Sequence, residues 1–172
     1  MKEITFIQAQ QLTSPNPFAL ISTCDQEENN NLMALSWWTY LSNHPATIGI
    51  CLSEKSYSQT LIRENGQFCL CVPDQSLAAS AFRCGTCSGR SVKKSTDFHI
   101  ELEDSVCVKP KRVKKSRVIL ECQVSQSLTV HDHMFFVAEV AACYGNPEAS
   151  ALYAMNGYKQ LESIKPDFFR KE

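Results

Sequence analysis

Glycine is scarce in this 172-residue chain, and none of its six glycines forms a Gly-x-Gly-x-x-Gly turn. The usual sequence sign of a dinucleotide-binding Rossmann domain is therefore missing, as are a P-loop and a Ser-nucleophile elbow. No apolar run approaches the length that spans a bilayer. The start, Met1-Lys2-Glu3-Ile4-Thr5, lacks the basic and apolar regions of a signal peptide. A cytoplasmic protein with no membrane attachment is expected. Neither charge sign is in excess: a formal net charge of -1 argues against a general nucleic-acid or membrane-surface role. Internal repeats, low-complexity segments and linkers are also absent. A single domain over 1–172 fits this length.

Cysteine, by contrast, is abundant. Nine is an odd count in a chain without a secretion signal, which reads as reduced thiols serving mostly as small buried apolar residues. Cys69 and Cys71 share one strand face, and Cys122 lies in another apolar run.

Strand-like segments dominate. Residues 18–24 are short and apolar behind Pro15 and Pro17. A polar loop over 25–31 leads into a second strand, 32–39, and the turn Asn43-His44-Pro45 into a third, 46–53. Short loops make these antiparallel. Residues 57–65 read as a short helix with Gly66 as C-cap, 67–72 as strand, 75–82 as a second helix, and 84–95 as loop. Strands over 118–125 and 134–142 follow, with a turn near 129–132; 147–155 is expected to be helical and 166–172 a tail. The fold class is mainly β, a closed or partly closed antiparallel barrel with a few short helices.

Trp37 and Trp38 stand side by side after the polar loop. Adjacent residues of a strand point to opposite faces, so both rings need cover from different sides. Lys55, Ser56, Tyr57, Ser58, Gln59 and Thr60 fall where a strand gives way to a helix. Free backbone N–H groups, hydroxyls and a lysine there make an anion site; a plain N-cap from Ser56 or Ser58 explains the serines equally.

Cys84-Gly85-Thr86-Cys87-Ser88-Gly89-Arg90, followed by Lys93 and Lys94, combines glycines that admit an oxyanion with an arginine suited to phosphate. It also reads as a basic surface turn, and Cys84 with Cys87 as a dithiol motif or half a zinc site. A full zinc site lacks a convincing second pair. His131 and His133 have no further metal ligand at suitable spacing, though His133 suits a barrel mouth. The basic block at 109–117 lacks stacking aromatics and reads as a solvated inter-strand loop.

Five motifs then occur in order: Asn31-x-Met33-Ala34-x-Ser36-Trp37; Ser58-x-Thr60; Asn65-Gly66-Gln67-Phe68; Ser88-Gly89-Arg90-x-x-Lys; and Asp132-His133-x-x-Phe136-Val137-x-Glu139-Val140. From about Pro15 to Lys159 the chain resembles the flavin reductase-like, FMN-binding split-barrel family that includes flavoredoxin. The resemblance implies a six-stranded antiparallel split barrel of Greek-key type, a homodimer, and FMN near the subunit interface. It implies that Met33, Ala34, Leu35, Ser36, Trp37, Trp38 and Thr39 lie along the isoalloxazine, with Ser36 and Trp37 facing it and Trp38 turned away. Ser53, Lys55, Ser56, Ser58 and Thr60 would hold the phosphate and ribityl chain. Ser88, Gly89, Arg90 and Lys94 would close over the flavin, and His133 would face the same pocket. Members often carry an aspartate where this chain has Lys93.

The function so implied is an FMN-dependent oxidoreductase that passes electrons from NADH or NADPH to flavin or another acceptor. No side chain is assigned as catalytic and no metal is expected. The alternative is a non-enzymatic FMN electron carrier serving a redox protein partner.

Overall fold

The computed structural model describes residues 1–165; the expected tail at 166–172 lies outside them. In chain order the elements are α1 (Phe6–Leu12), β1 (Asn16–Pro17), β2 (Ala19–Cys24), β3 (Asn30–Leu35), β4 (Trp38–Asn43), β5 (Ala46–Ser53), α2 (Tyr57–Asn65), β6 (Gln67–Pro73) and α3 (Ala78–Cys84). There follow α4 (Lys94–Asp97), β7 (Leu102–Glu103), β8 (Arg112–Val113), β9 (Ser116–Val130), β10 (His133–Gly145), β11 (Ala151–Met155) and β12 (Gln160–Ile164).

Seven strands form one antiparallel sheet in the order β3-β2-β6-β9-β10-β5-β4. The expected strand over 32–39 is in fact two, broken at Ser36–Trp37, and its halves lie at opposite edges of the sheet. That break shapes the molecule. Seven flat strands would set the edges roughly 29 Å apart, whereas the three residue steps from Leu35 to Trp38 reach about 11 Å. The sheet must therefore curl until its edges nearly meet, and β3 and β4 do not pair across the seam: a split barrel. The Cys51 N–H donates to the Trp37 carbonyl at 2.9 Å and pins the crossing to β5.

Strand alternation fills both sides of this wall. Ala19, Ile21, Phe68, Leu70, Ile50, Leu52, Phe136 and Ala138 pack into one buried cluster contributed by strands all around the sheet, which is the barrel interior. Leu20, Cys69 and Cys71 point the other way, into a second cluster with Ala81, Cys84, Phe98 and Leu152 that α3 and β11 cover. Ile62 of α2 plugs the interior cluster. The helix itself is capped as its sequence reads: the Ser56 side chain accepts from the Gln59 N–H, and Gly66 adopts φ 66°, the left-handed conformation that glycine takes without strain.

A further local expectation fails. The segment over 147–155 is not helical: Ala151–Met155 is a strand paired with β1 on one side and β12 on the other, burying Leu152 and Ala154. A hairpin with β12 and a remote edge contact with β1 decide it. The sequence reading also passed over α1, which the reciprocal hydrogen bonds of Thr5 and Gln8 start as a capping box.

Candidate functional site

A cavity of about 360 Å³ opens where β3, the start of α2 and the loop after α3 converge. Met33 and Ala34 form its apolar wall, Lys55, Ser56 and Ser58 the helix-start side, and Ser88, Gly89 and Lys94 the loop side. Three chain segments that the sequence suggested separately are thus brought together. The helix start gives partial positive charge and backbone donors. Its hydroxyls are already engaged by β3: Ser56 Oγ donates to Met33 Sδ at 3.1 Å, and Ser58 Oγ accepts from Asn31 Nδ2 at 2.8 Å.

Lys94 is only 4% exposed, yet no carboxylate pairs with it among the described residues. Its Nζ donates to the Cys84 carbonyl at 2.6 Å, which leaves further N–H donors of the ammonium to serve the cavity. Burial pushes the Lys94 amine below the ordinary lysine range, because a charge is hard to keep without an anion beside it. Asn31 is the second incomplete group: its Oδ1 is buried with no hydrogen-bond partner. Gly89 presses against that oxygen, and no larger residue fits there.

The remaining expected site residues lie elsewhere. Leu35 is buried in the barrel interior and Thr39 is exposed on β4. Ser36 and Trp37 line a separate hollow against α1, and the Trp37 ring stacks on His133 at 4.9 Å. His133 Nδ1 meets Asp132 at 2.9 Å and holds that carboxyl below its usual range. Trp38 lines a third, apolar slot with Tyr40 and Phe18. Ser53 ends β5 opposite His133. Arg90 lies over the Tyr57 ring at 4.6 Å and donates to Thr60 Oγ1 at 3.4 Å, without lining the cavity.

Asn31, Tyr57 and the run from Cys84 to Cys87 line the cavity too; each stood inside a motif of the sequence without being assigned to the flavin. Three of the six basic residues of the block at 109–117 form ion pairs within the fold. Lys111 pairs with Asp104, Arg112 with Glu103 and with the fully buried Glu121, and Lys114 with Glu101. No helix among the described residues is long and apolar enough to cross a membrane. No group of three or more His, Cys, Asp or Glu residues gathers there as a metal site.

The cavity chemistry is that of an anion end joined to an apolar wall, with a buried ammonium that has no carboxylate beside it among the described residues. A phosphorylated planar group such as a flavin nucleotide fits that donor set.

Comparison with known proteins gives the same direction. The model of the flavin reductase like domain matches residues 12–162. An uncharacterized protein of Archaeoglobus fulgidus is 32% identical over 113 residues, 66% of this chain and 64% of the relative. Among solved structures, flavoredoxin of Desulfovibrio vulgaris (Miyazaki F) superposes with a TM-score of 0.84 at 19% identity, over 95% of this chain and 93% of the other. The FMN-binding protein of Thermus thermophilus gives 0.82 at 19% identity, over 99% and 96%. At such identities the structural likeness is one of fold.

Proposed function

Since the chain belongs to the flavin reductase-like domain family, we propose that it is an FMN-dependent oxidoreductase that takes electrons from NADH or NADPH and passes them to free flavin or another acceptor. The observation that carries this reading is Lys94: a buried ammonium with no carboxylate partner among the described residues, set in a cavity opposite a helix start. A buried charge of this kind needs an anion, and a flavin phosphate or the anionic edge of a reduced ring is one.

The flavin, when bound, supplies reversible two-electron chemistry. The chain's residues bind and orient. Met33 and Ala34 give the ring an apolar wall, and the start of α2 with Lys55 holds the phosphate end. Gly89 lets the backbone of its loop close in on Asn31, whose amide is tied to Ser58 at the start of α2. Trp37 and His133 stack outside this cavity and offer an aromatic surface to a nicotinamide ring.

The second reading is a non-enzymatic FMN electron carrier; a docking surface on the basic block at 109–117 would be weakened by the ion pairs of Lys111, Arg112 and Lys114. A cytoplasmic homodimer and a single domain over 1–172 complete the proposal. Purified protein should carry a flavin spectrum, release FMN rather than FAD on denaturation, and oxidise NADH or NADPH steadily in the presence of free flavin. A colourless protein that binds no added FMN sinks the reading; flavin without nicotinamide turnover favours the carrier.

A further inference from the structure

Two cysteines of the cavity are placed unlike the others. Cys24, Cys69, Cys71 and Cys122 are buried strand residues, Cys51 is a half-buried one, and Cys107 and Cys143 are exposed. Cys84 and Cys87 alone line the cavity, beside Lys94. Cys84 ends α3 and is 1% exposed, whereas Cys87 is half-buried. The chain between them turns back on itself: the Gly85 N–H donates to Phe82 and the Thr86 N–H to Arg83, each at 3.1 Å. The Cys87 thiol donates to the same Arg83 carbonyl at 3.5 Å. A disulfide needs its two Cβ atoms roughly 3.5–4.5 Å apart, so forming one requires the turn that carries the half-buried Cys87 to bring it against Cys84.

We propose that Cys84 and Cys87 form a reversible dithiol–disulfide pair, a second two-electron centre that exchanges electrons with the flavin held in the same cavity. The proposal rests on the flavin reading above. When the disulfide is reduced, the S–S bond breaks and each sulfur takes up one electron and one proton, the reduced flavin giving both pairs. In the opposite direction both S–H bonds break, the S–S bond forms, and the electrons and protons return to the oxidised flavin. Cys87 is the accessible, attacking sulfur and Cys84 the resolving one. Burial pushes the Cys84 thiol up to about 12, with the Lys94 charge pulling the other way, so that Cys84 rests as a thiol.

The test has two arms. Flavin-free protein is equilibrated in glutathione buffers of stepped oxidised-to-reduced ratio, quenched with iodoacetamide and mapped by mass spectrometry. Residues 84 and 87 should become protected together over one transition, and Cys87→Ser should abolish it; independent alkylation of the two at every ratio overturns the pair. Disulfide-form protein loaded with FMN is then titrated anaerobically with dithionite, normalised to bound flavin. Wild type should consume about twice the electrons of Cys87→Ser before full reduction; equal consumption overturns the coupling. A protein with no flavin spectrum fails the preceding reading and the coupling with it, while the glutathione arm decides the pair by itself.

Discussion

Gly89 stands so close to Asn31 that a Cβ built on the glycine would lie 1.8 Å from Asn31 Oδ1. The amide has no free direction in which to retreat, because Nδ2 donates to Ser58 at 2.8 Å and to Thr23 at 3.4 Å.

Gly89→Ala is therefore expected to cost about 1–3 kcal/mol of stability, the range for forcing an atom into packed space. It should also weaken FMN binding by about tenfold or more, each tenfold being about 1.4 kcal/mol. Adding Asn31→Ala removes the clash, so the double variant should be more stable than the sum of the single losses indicates. Thermal unfolding and flavin fluorescence titration of the four proteins check this; strict additivity would refute the contact.

Lys94→Met should lower FMN affinity by about 10- to 100-fold, the weight of one charge-assisted hydrogen bond in a desolvated site. Riboflavin, which lacks the phosphate, should be affected less if the ammonium meets that group. Arg90→Ala should change affinity by no more than about threefold, since Arg90 is spent on Tyr57 and Thr60 rather than on the cavity. The pH profile adds a sign. The depressed Lys94 amine loses its proton at a pH below the ordinary 10.5, so FMN affinity should fall as pH rises through that lower value. In Lys94→Met this fall should vanish.

The two tryptophans should part company under mutation. Trp37 is 45% exposed against His133, so Trp37→Ala should cost less than about 1 kcal/mol of stability, as surface substitutions do. Trp38 packs on the barrel interior, and Trp38→Ala should cost about 3–5 kcal/mol. Trp38→Phe should be far milder, because it also removes a buried indole N–H that has no partner. Chemical denaturation midpoints decide among the three; equal losses for Trp37→Ala and Trp38→Ala would contradict their placement.

Alkaline stability should be set by buried thiols. Cys69 is pushed from 9.0 up to about 12 by burial, and burial raises Cys71 and Cys122 as well. Between 9.0 and about 12 the unfolded chain holds fewer protons than the folded one, so stability falls as pH rises; below 9.0 the contribution is complete. Cys122→Ala should flatten this slope while costing about 1 kcal/mol for the cavity it leaves. Urea midpoints at stepped alkaline pH measure both effects, and an unchanged slope would count against the assignment.

Much of this was legible in the chain itself. The run Ala46–Ser53 and the helix Tyr57–Asn65 stand where their apolar pattern, Ser56 cap and Gly66 placed them, because each is governed by neighbours within one or two turns. The association of residues 33–34, 55–56, 58, 88–89 and 94 was implied by the family resemblance, and all of them line the cavity. The order of the motifs pointed to the family, whose model matches residues 12–162.

Tertiary structure alone decided the rest. Residues 151–155 are a strand because β12, just beyond a short turn, and β1, more than a hundred residues earlier, offer their backbones on its two sides. The break at Ser36–Trp37 exists because the chain must cross from one edge of a curled sheet to the other, a demand of closure rather than of propensity. That crossing sends Trp37 to His133 and Trp38 to the apolar slot. The unpartnered oxygen of Asn31 and the unpaired ammonium of Lys94 also arise only in three dimensions. Burial turns ordinary polar residues into groups that need a ligand, and burial belongs to the fold.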